Sequence, residues 1–515
     1  MLVVAVVVAL AVSVIGVALF ARAVTSIVRV LRLGGPVLDR RDSRGDRWRH
    51  LLAETLGHTR MLQWSRVGVA HWFVFVAFGA LFFTLVTAYG QLVDPRFALP
   101  VIGHWVVYEW ASELIAWAGL FSIVYLISVR LRSRRLGRQS RFFGSTGWQG
   151  VYVELTILGI VLCVLALRAM EYQLLAADTT RWHFPLTWFL LPPGISPAAL
   201  EAGIVLVAAL KIVISMAWFI TIGLNTTMGV AWHRFTVWPN IWFKRRADGK
   251  PSLGALQPVL VDGKPLDFAE IEDLADDASL GVGKVEEFTW KGLLDFTSCT
   301  ECGRCQSQCP AWNTEKPLSP KLLIMGLRDH AFAKAPYILA GESGRDGVPA
   351  AALAEAERPL VGETEGYAWE PEGGAIIDND VLWSCVTCGA CVNQCPVDIE
   401  HVDHIVDMRR YQVLVEANFP AELNQLFKGM ENKGNPWNLN PNARMEWAKD
   451  LPFDVKVVGE DVETLDEVDW LFWVGCAGAY EDRAKKTTRA VAELLDMAGV
   501  SFGVLGNGET CTGDS

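Results

Sequence analysis

Two copies of one cysteine run constrain this chain more than any other feature. The first is Cys299-x-x-Cys302-x-x-Cys305-x-x-x-Cys309-Pro310, and the second is Cys385-x-x-Cys388-x-x-Cys391-x-x-x-Cys395-Pro396. In this spacing three thiolates on one tight loop hold three irons of a cubane, and the fourth cysteine of each run ligates the other cluster. The expected ligands are Cys299, Cys302, Cys305 and Cys395 for one [4Fe-4S] cluster, and Cys385, Cys388, Cys391 and Cys309 for the second. Gly303 and Gly389 fall inside the loops, where a backbone wrapped round a cluster favours a residue without a Cβ. Pro310 and Pro396 should stop each loop from running on as helix. Zinc ribbons pair two Cys-x-x-Cys hooks and have no use for a third hook and a trailing Cys-Pro. Paired clusters of this kind relay single electrons.

The chain is 51% hydrophobic with 21 Trp, which is too apolar for an ordinary soluble enzyme. Long charge-free runs account for it. They read as five transmembrane helices at about 2–20, 67–91, 104–128, 149–170 and 199–224, the last continuing helically into the 230s. The N-terminal run reads as a span rather than a signal peptide, because its arginines follow the apolar stretch instead of preceding it. Arginines crowd the connections after the first and third spans (Arg22 to Arg66, Arg130 to Arg141), while the loops near Asp94–Arg96 and Asp178–Arg181 are nearly free of them. The positive-inside rule then puts the N-terminus outside and everything after the fifth span in the cytoplasm. That compartment keeps thiols reduced and argues against disulfides. The formal charge of −11 gathers in the soluble half, for example over Glu270–Asp277, and reads as a solvated surface.

A spanning bundle does not require histidine, so His58, His71, His104, His183 and His233 stand out. Imidazoles on facing helices are the usual axial ligands of bundle-bound haem. His71 and His233 both fall near the cytoplasmic face and are the candidate pair. His58 precedes His71 by 13 residues, which on one continuous helix turns it well away from the same face. His104 belongs to the outer side. The competing reading for all of them is interfacial histidine wetted by headgroups. Glu113, Glu154 and Lys211 are costly in lipid and should face the bundle interior. Glu113 and Lys211, with Tyr108, are candidates for a quinone or proton path, with helix–helix pairing the alternative.

Residues 241–287 read as a linker with short strands after a membrane domain over 1–240. A two-cluster ferredoxin-type domain is expected over 288–420, helical in its flanks, with Ser319 as N-cap and Pro320 at the first position of a helix. Within it, Gly341–Gly374 reads as a long surface loop. His401 and His404 read as a helix surface. After a connecting segment (421–465), residues 466–515 open an α/β unit. It has a buried strand at Trp470–Gly475, an amphipathic helix at Arg483–Met497 and a second strand at Val500–Leu505. Cys476 and Cys511 fall at loop ends on one side of that unit, where α/β units place ligands. Cys163 sits within the fourth span as packing.

These residues resemble the heterodisulfide-reductase D / glycerol-3-phosphate-dehydrogenase C superfamily of iron–sulfur oxidoreductases. That family follows the double run with CCG domains, in which a cysteine is followed at about this distance by Cys-Cys-Gly. Here the motif reads Glu509-Thr510-Cys511-Thr512-Gly513, with threonine for the second cysteine. The resemblance implies a catalytic role for Cys476 and Cys511 and a non-cubane iron–sulfur cluster in a full-length chain. The chain stops at Ser515, and the expectation is a truncated CCG domain. The anchor resembles the nitrate-reductase γ type of dihaem cytochrome b. This implies haem b, one or two, on His71 and His233, with His58 and His104 as weaker matches.

Anchor and iron–sulfur half together are similar to the actinobacterial membrane-bound electron-transfer-flavoprotein dehydrogenases. Cys299-Thr300-Glu301-Cys302-Gly303-Arg304-Cys305 and Asn507–Asp514 carry that likeness. It implies a multi-pass protein of the cell's inner (plasma) membrane, passing electrons from reduced electron-transfer flavoprotein, fed by fatty-acid β-oxidation, to menaquinone. The alternatives are a heterodisulfide or hydroxy-acid oxidoreductase using the same relay, and a non-catalytic membrane electron-transfer or sensor protein. No nucleic-acid partner is expected, and no inverted repeat suggests a transporter.

Overall fold

The computed structural model describes residues 2–512 apart from 39, 176–178, 251, 262, 268, 270–273, 276 and 277. Asp178, most of the acidic 270–277 stretch and Gly513–Ser515 lie outside the described residues. The chain divides into two units, Met1–Glu416 and Ala417–Ser515.

The first unit begins with α1 (Leu2–Leu31), α2 (Arg44–Thr55), α3 (Thr59–Leu62), α4 (Ser65–Ala80), α5 (Phe82–Gln91), α6 (Val106–Ser133), α7 (Gly147–Leu174), α8 (Pro197–Leu224) and α9 (Gly229–Trp242). Four of these helices are long and apolar enough to cross a membrane, or five if the pair α4 and α5 is one span bent by 41°. At that bend the Thr84 hydroxyl takes the Leu81 carbonyl, one of the ways a helical ladder is interrupted. The first span is longer than its sequence suggests because α1 stays helical past its arginines. It lies against α8 where Gly16 and Gly223 bring backbones together: a Cβ on either would meet the other helix at 3.0 Å or less. The fifth span does not run on. It ends at Leu224, where the Asn225 side chain bonds the Thr221 carbonyl, and α9 starts afresh at Gly229.

The hairpin strands β1 (Leu260–Val261) and β2 (Lys264–Pro265) precede a helical half. There α10 (Trp290–Ser298) leads into the first cysteine loop, followed by α11 (Arg304–Gln308), α12 (Pro310–Asn313) and α13 (Pro320–Ala340). Pro310 opens α12 rather than only stopping a helix. Ser319 caps α13, accepting from Leu322 N, with Pro320 in the first turn. The 341–374 stretch is not a long loop. It carries α14 (Ala350–Glu357), β3 (Val361–Gly362) and a hairpin of β4 (Thr364–Tyr367) with β5 (Glu370–Gly374); β3 then pairs in parallel with β6 (Ile377–Asp378). The second cysteine loop lies between α15 (Asn379–Trp383) and α16 (Ala390–Gln394), and α17 (His401–Leu414) closes the half. Its core is Phe288, Leu293, Phe296, Trp312, Leu323, Leu327, Ile377, Leu382 and Met408, with Cys299, Cys309 and Cys395 in the same cluster.

His401 and His404 are buried, not on a helix surface. His404 Nε2 meets Asp295 Oδ2 at 3.0 Å, and Lys291 Nζ meets Asp295 Oδ1 at 2.7 Å, so a charged network ties α17 to α10. The charge-rich sequence of α17 hides this, because its polar residues are paired rather than solvated.

The second unit holds α18 (Glu422–Lys433), β7 (Lys456–Val457), β8 (Trp470–Leu471), α19 (Gly475–Tyr480), α20 (Asp482–Met497) and β9 (Phe502–Val504). Its sheet is parallel in the order β7-β9-β8. The expected Trp470–Gly475 strand shrinks to two exposed edge residues, and the buried centre is β9. An apolar run alone does not say which strand lies in the middle of a sheet.

Candidate functional site

Both cysteine loops turn on a glycine in the left-handed region, Gly303 (φ +69°) and Gly389 (φ +71°), and each glycine starts the short helix that carries the third cysteine. Glu301 and Thr387, just before the second cysteine of each loop, are left-handed too. The repeat is therefore conformational as well as sequential, and α11 packs on α16.

The thiols fall into two groups of four. Cys309, Cys385, Cys388 and Cys391 line one small cavity with Pro310, Ala311, Leu318, Val402 and Ile405. In the other group, Cys302, Cys395 and Cys299 lie close enough to Cys305 to act on its thiol electrostatically, as does Cys391 of the first group. We term the Cys299/Cys302/Cys305/Cys395 group site one and the Cys385/Cys388/Cys391/Cys309 group site two. Among the described residues no three His, Cys, Asp or Glu side chains close on a single ion. Thiolates that bind four different irons of one cubane have no need to converge on a point. Burial pushes the Cys299 thiol up to about 12, and Cys305, Cys391 and Cys395 are raised by the same cause. Such thiols keep their protons unless a metal displaces them. Backbone amides already point at sulfur, with Thr387 N donating to Cys385 Sγ and Ile399 N to Cys395 Sγ at 3.4 Å each. The donor set fits an iron–sulfur cluster at each site.

Site one lies against the membrane-spanning half. The Arg141 carbonyl approaches so closely that a Cβ on Gly303 would stand 1.7 Å from it, and Ser145 Oγ donates to the Glu301 carbonyl at 3.0 Å. Trp64 is flanked by the Arg141 and Arg304 guanidinium groups, each 5.2 Å from its ring centroid. Arg60 donates to the Cys395 and Val392 carbonyls and pairs with Asp398 at 2.7 Å. On the far side a Cβ on Gly229 would stand 1.9 Å from the Cys299 carbonyl oxygen, so α9 begins at the loop itself.

That helix carries His233. His58 Nε2 and His71 Nδ1 are 3.1 Å apart, which one continuous helix would not allow. The chain breaks between α2, α3 and α4, and His58 caps α3 in a left-handed conformation that swings it back onto His71. The tautomers follow from the partners. His58 Nδ1 faces the Thr55 carbonyl, which can only accept, so it donates and leaves Nε2 as acceptor. Burial lowers the His58 pKa and keeps the ring neutral. His71 Nδ1 must then be the donor, so its Nε2 keeps a lone pair. His233 Nδ1 donates likewise to the Gly229 carbonyl at 3.2 Å. Two imidazoles thus have Nδ1 fixed and Nε2 available to a metal, the arrangement by which a second hydrogen bond orients a ligand histidine.

His104 is elsewhere. It lines a cavity of mixed polar and apolar walls, with Thr84, Gln91, Tyr108, Arg168 and Lys211 among the polar residues. Lys211 Nζ donates to Thr84 Oγ1 at 2.6 Å and is fully buried. Glu113 does not join it. Its carboxylate is taken by Arg168 Nε (3.1 Å), Thr187 Oγ1 (2.7 Å) and Leu186 N (2.8 Å), which makes it a brace for the 181–187 loop. Glu154 pairs with Arg130 at 2.6 Å.

In the second unit Cys476 stands at the start of α19 and shares its surroundings with Cys511. Arg444 Nη2 lies 3.1 Å from Cys476 Sγ, and Arg444 Nη1 pairs with Glu509 at 3.3 Å. Glu509 also accepts from the Val474 and Gly475 amides. Sequence reasoning missed Arg444, and it missed Arg141, Arg304 and Lys321 around site one. The signal for Arg304 was present: where the first run has Gly303-Arg304, the second has Gly389-Ala390.

Residues 298–399 match the family model described as a 4Fe-4S dicluster domain. The chain is 39% identical over 249 residues to the probable iron–sulfur-binding oxidoreductase FadF of Bacillus subtilis, covering 46% of this chain and 35% of that protein. It is 39% identical over 251 residues to the EtfAB:quinone oxidoreductase of Syntrophomonas wolfei, covering 48% and 34%. It is also 27% identical over 226 residues to a component of the dihydromethanophenazine:CoB–CoM heterodisulfide reductase of Methanosarcina mazei, covering 43% and 47%. The chain spans about a third of the length of the first two relatives. No solved structure matches. These relatives are named as oxidoreductases or a reductase, the first as iron–sulfur-binding, in agreement with the resemblance carried by the cysteine runs.

Proposed function

We propose that the chain is the membrane-bound iron–sulfur part of an oxidoreductase that takes electrons from a reduced electron-transfer flavoprotein and delivers them to menaquinone. One observation carries the reading. A succession of metal-ligating side-chain types runs from exposed Cys388, by way of neighbouring Cys391 and Cys305, to Cys299 against Gly229 and on to His233, His71 and His58. The name of the Syntrophomonas relative supports the donor and the quinone. The charge pattern of the connections supports a cytoplasmic iron–sulfur half with the N-terminus outside.

In this reading Cys299, Cys302, Cys305 and Cys395 hold one [4Fe-4S] cluster, and Cys385, Cys388, Cys391 and Cys309 hold the other; when bound they accept and give up single electrons. His71 and His233 would hold haem b through Nε2, with His58 keeping His71 in the right tautomer. Lys211 and Tyr108, in the cavity with His104, would hydrogen-bond a quinone headgroup, and Lys211 would supply a proton to its oxygen. Glu113 positions the wall of that cavity through Arg168. A second reading, reduction of a disulfide at Cys476 and Cys511, draws on the Arg444–Cys476 contact and the heterodisulfide reductase relative.

The test is anaerobic mixing of the full-length protein in detergent with reduced electron-transfer flavoprotein, with and without a menaquinone analogue. Rapid bleaching of iron–sulfur absorbance and quinone-dependent reoxidation are expected. Bleaching by dithionite but not by the flavoprotein would reject the donor. Loss of a b-type haem band in His71→Leu is expected; an unchanged band would reject that ligand.

A further inference from the structure

The two cysteine sites share a spacing but not a charge environment. Around site one, three cations have no carboxylate partner among the described residues. Lys321, fully buried, gives its ammonium to the Arg141 and Phe143 carbonyls and the Ser145 hydroxyl. Arg304, also buried, bonds the Arg60 carbonyl at 3.0 Å and stacks on Trp64, with its Nε unpartnered. Arg141 rests on the rings of Trp64 and Phe142. Arg328 and Arg60 stand nearby, but Glu301 and Asp398 neutralise them. At site two, among the described residues, the cation in contact with a cysteine backbone is Arg409, which bonds the Leu382 and Cys385 carbonyls and lies over Trp383. Apart from the four cysteines and Gly389, its cavity is lined by proline and aliphatic side chains.

Resting on the relay reading, we propose that Lys321, Arg304 and Arg141 hold site one at a higher reduction potential than site two. Electrons then enter at the exposed Cys388 side and settle one at a time on the membrane side, each charge lost at site two being gained at site one. A four-thiolate cluster is anionic and becomes more so on reduction, so fixed cations favour its reduced form. Burial opposes this by disfavouring added charge. At site one, however, the cations are buried with the thiolates, and the same low dielectric strengthens their attraction. Because no carboxylate among the described residues pairs with them, and nearby Glu301 is taken by Arg328, the charge term decides the order. These are positioning residues, since none is a ligand.

The experiment is an EPR-monitored redox titration of the full-length protein in detergent. Two reduction waves are expected. Lys321→Gln, Arg304→Gln and Arg141→Gln should each move the higher wave down and leave the lower in place. Arg304→Lys should restore most of the shift, and Arg409→Gln should lower only the lower wave. Arg141 is half-buried, so its variant reports even if an emptied Lys321 position unfolds the chain. The inference is overturned if the three variants move the lower wave, or move neither. Folded wild-type protein without two cluster signals would instead reject the relay reading, and the inference with it.

Discussion

The two cysteine loops are near-copies in spacing, glycine position and backbone, and they differ in almost everything that touches them. The first is sealed by the 60–64 and 140–145 connections of the spanning half; the second opens at Cys388 and Val386. The same contrast holds at the two glycines. A Cβ on Gly303 runs into backbone, whereas on Gly389 it meets only the Leu253 side chain at 3.2 Å. Spacing fixes what a loop can bind, and its neighbours decide where along a relay the bound group belongs.

Breaking the exchange of fourth ligands gives the largest effect. Cys309→Ser should remove the site-two cluster and Cys395→Ser the site-one cluster, each lowering iron content by about half and deleting one EPR signal. Loss of both signals from either variant would mean that the sites do not form independently. Next is Asp295→Asn. It removes the nearer of two carboxylates from buried Lys291, Glu400 remaining at 4.0 Å, and the carboxylate that bonds His404, at a cost of about 3 kcal/mol in thermal or chemical unfolding. The direct comparison is Gly389→Ala against Gly303→Ala. The first should cost about 1–2 kcal/mol for its left-handed backbone, and the second clearly more, because Arg141 cannot retreat from the loop. Equal costs would show that the seal on site one is loose.

A pH profile sharpens the other side, where α17 flanks site two. Burial lowers the His401 pKa from 6.5 to about 4. As pH falls through that window the unfolded chain takes up a proton the folded chain refuses, so stability falls by up to about 3 kcal/mol and is unaffected above it. His401→Gln should flatten that part of the stability curve.

The dicluster domain, the loop glycines and the long apolar helices were readable because each depends on local spacing or composition. The His58–His71 contact was not, since it needs a helix break that places His58 in a left-handed conformation. Nor was the burial of His401 and of His404, the latter bonded to Asp295 more than a hundred residues away in sequence. The pairing of Glu113 with Arg168 rather than Lys211 is likewise a choice among buried charges that only packing resolves. The cations of site one come from three separated segments, and no motif brings Arg141, Arg304 and Lys321 together.

The most direct test of the central claim is the EPR spectrum of the fully reduced full-length protein. The packing of α11 on α16 calls for two neighbouring clusters, and hence a spectrum split by magnetic interaction that simplifies to one unsplit signal in Cys309→Ser. Two unsplit signals in the wild type, or a single one, would contradict a paired relay.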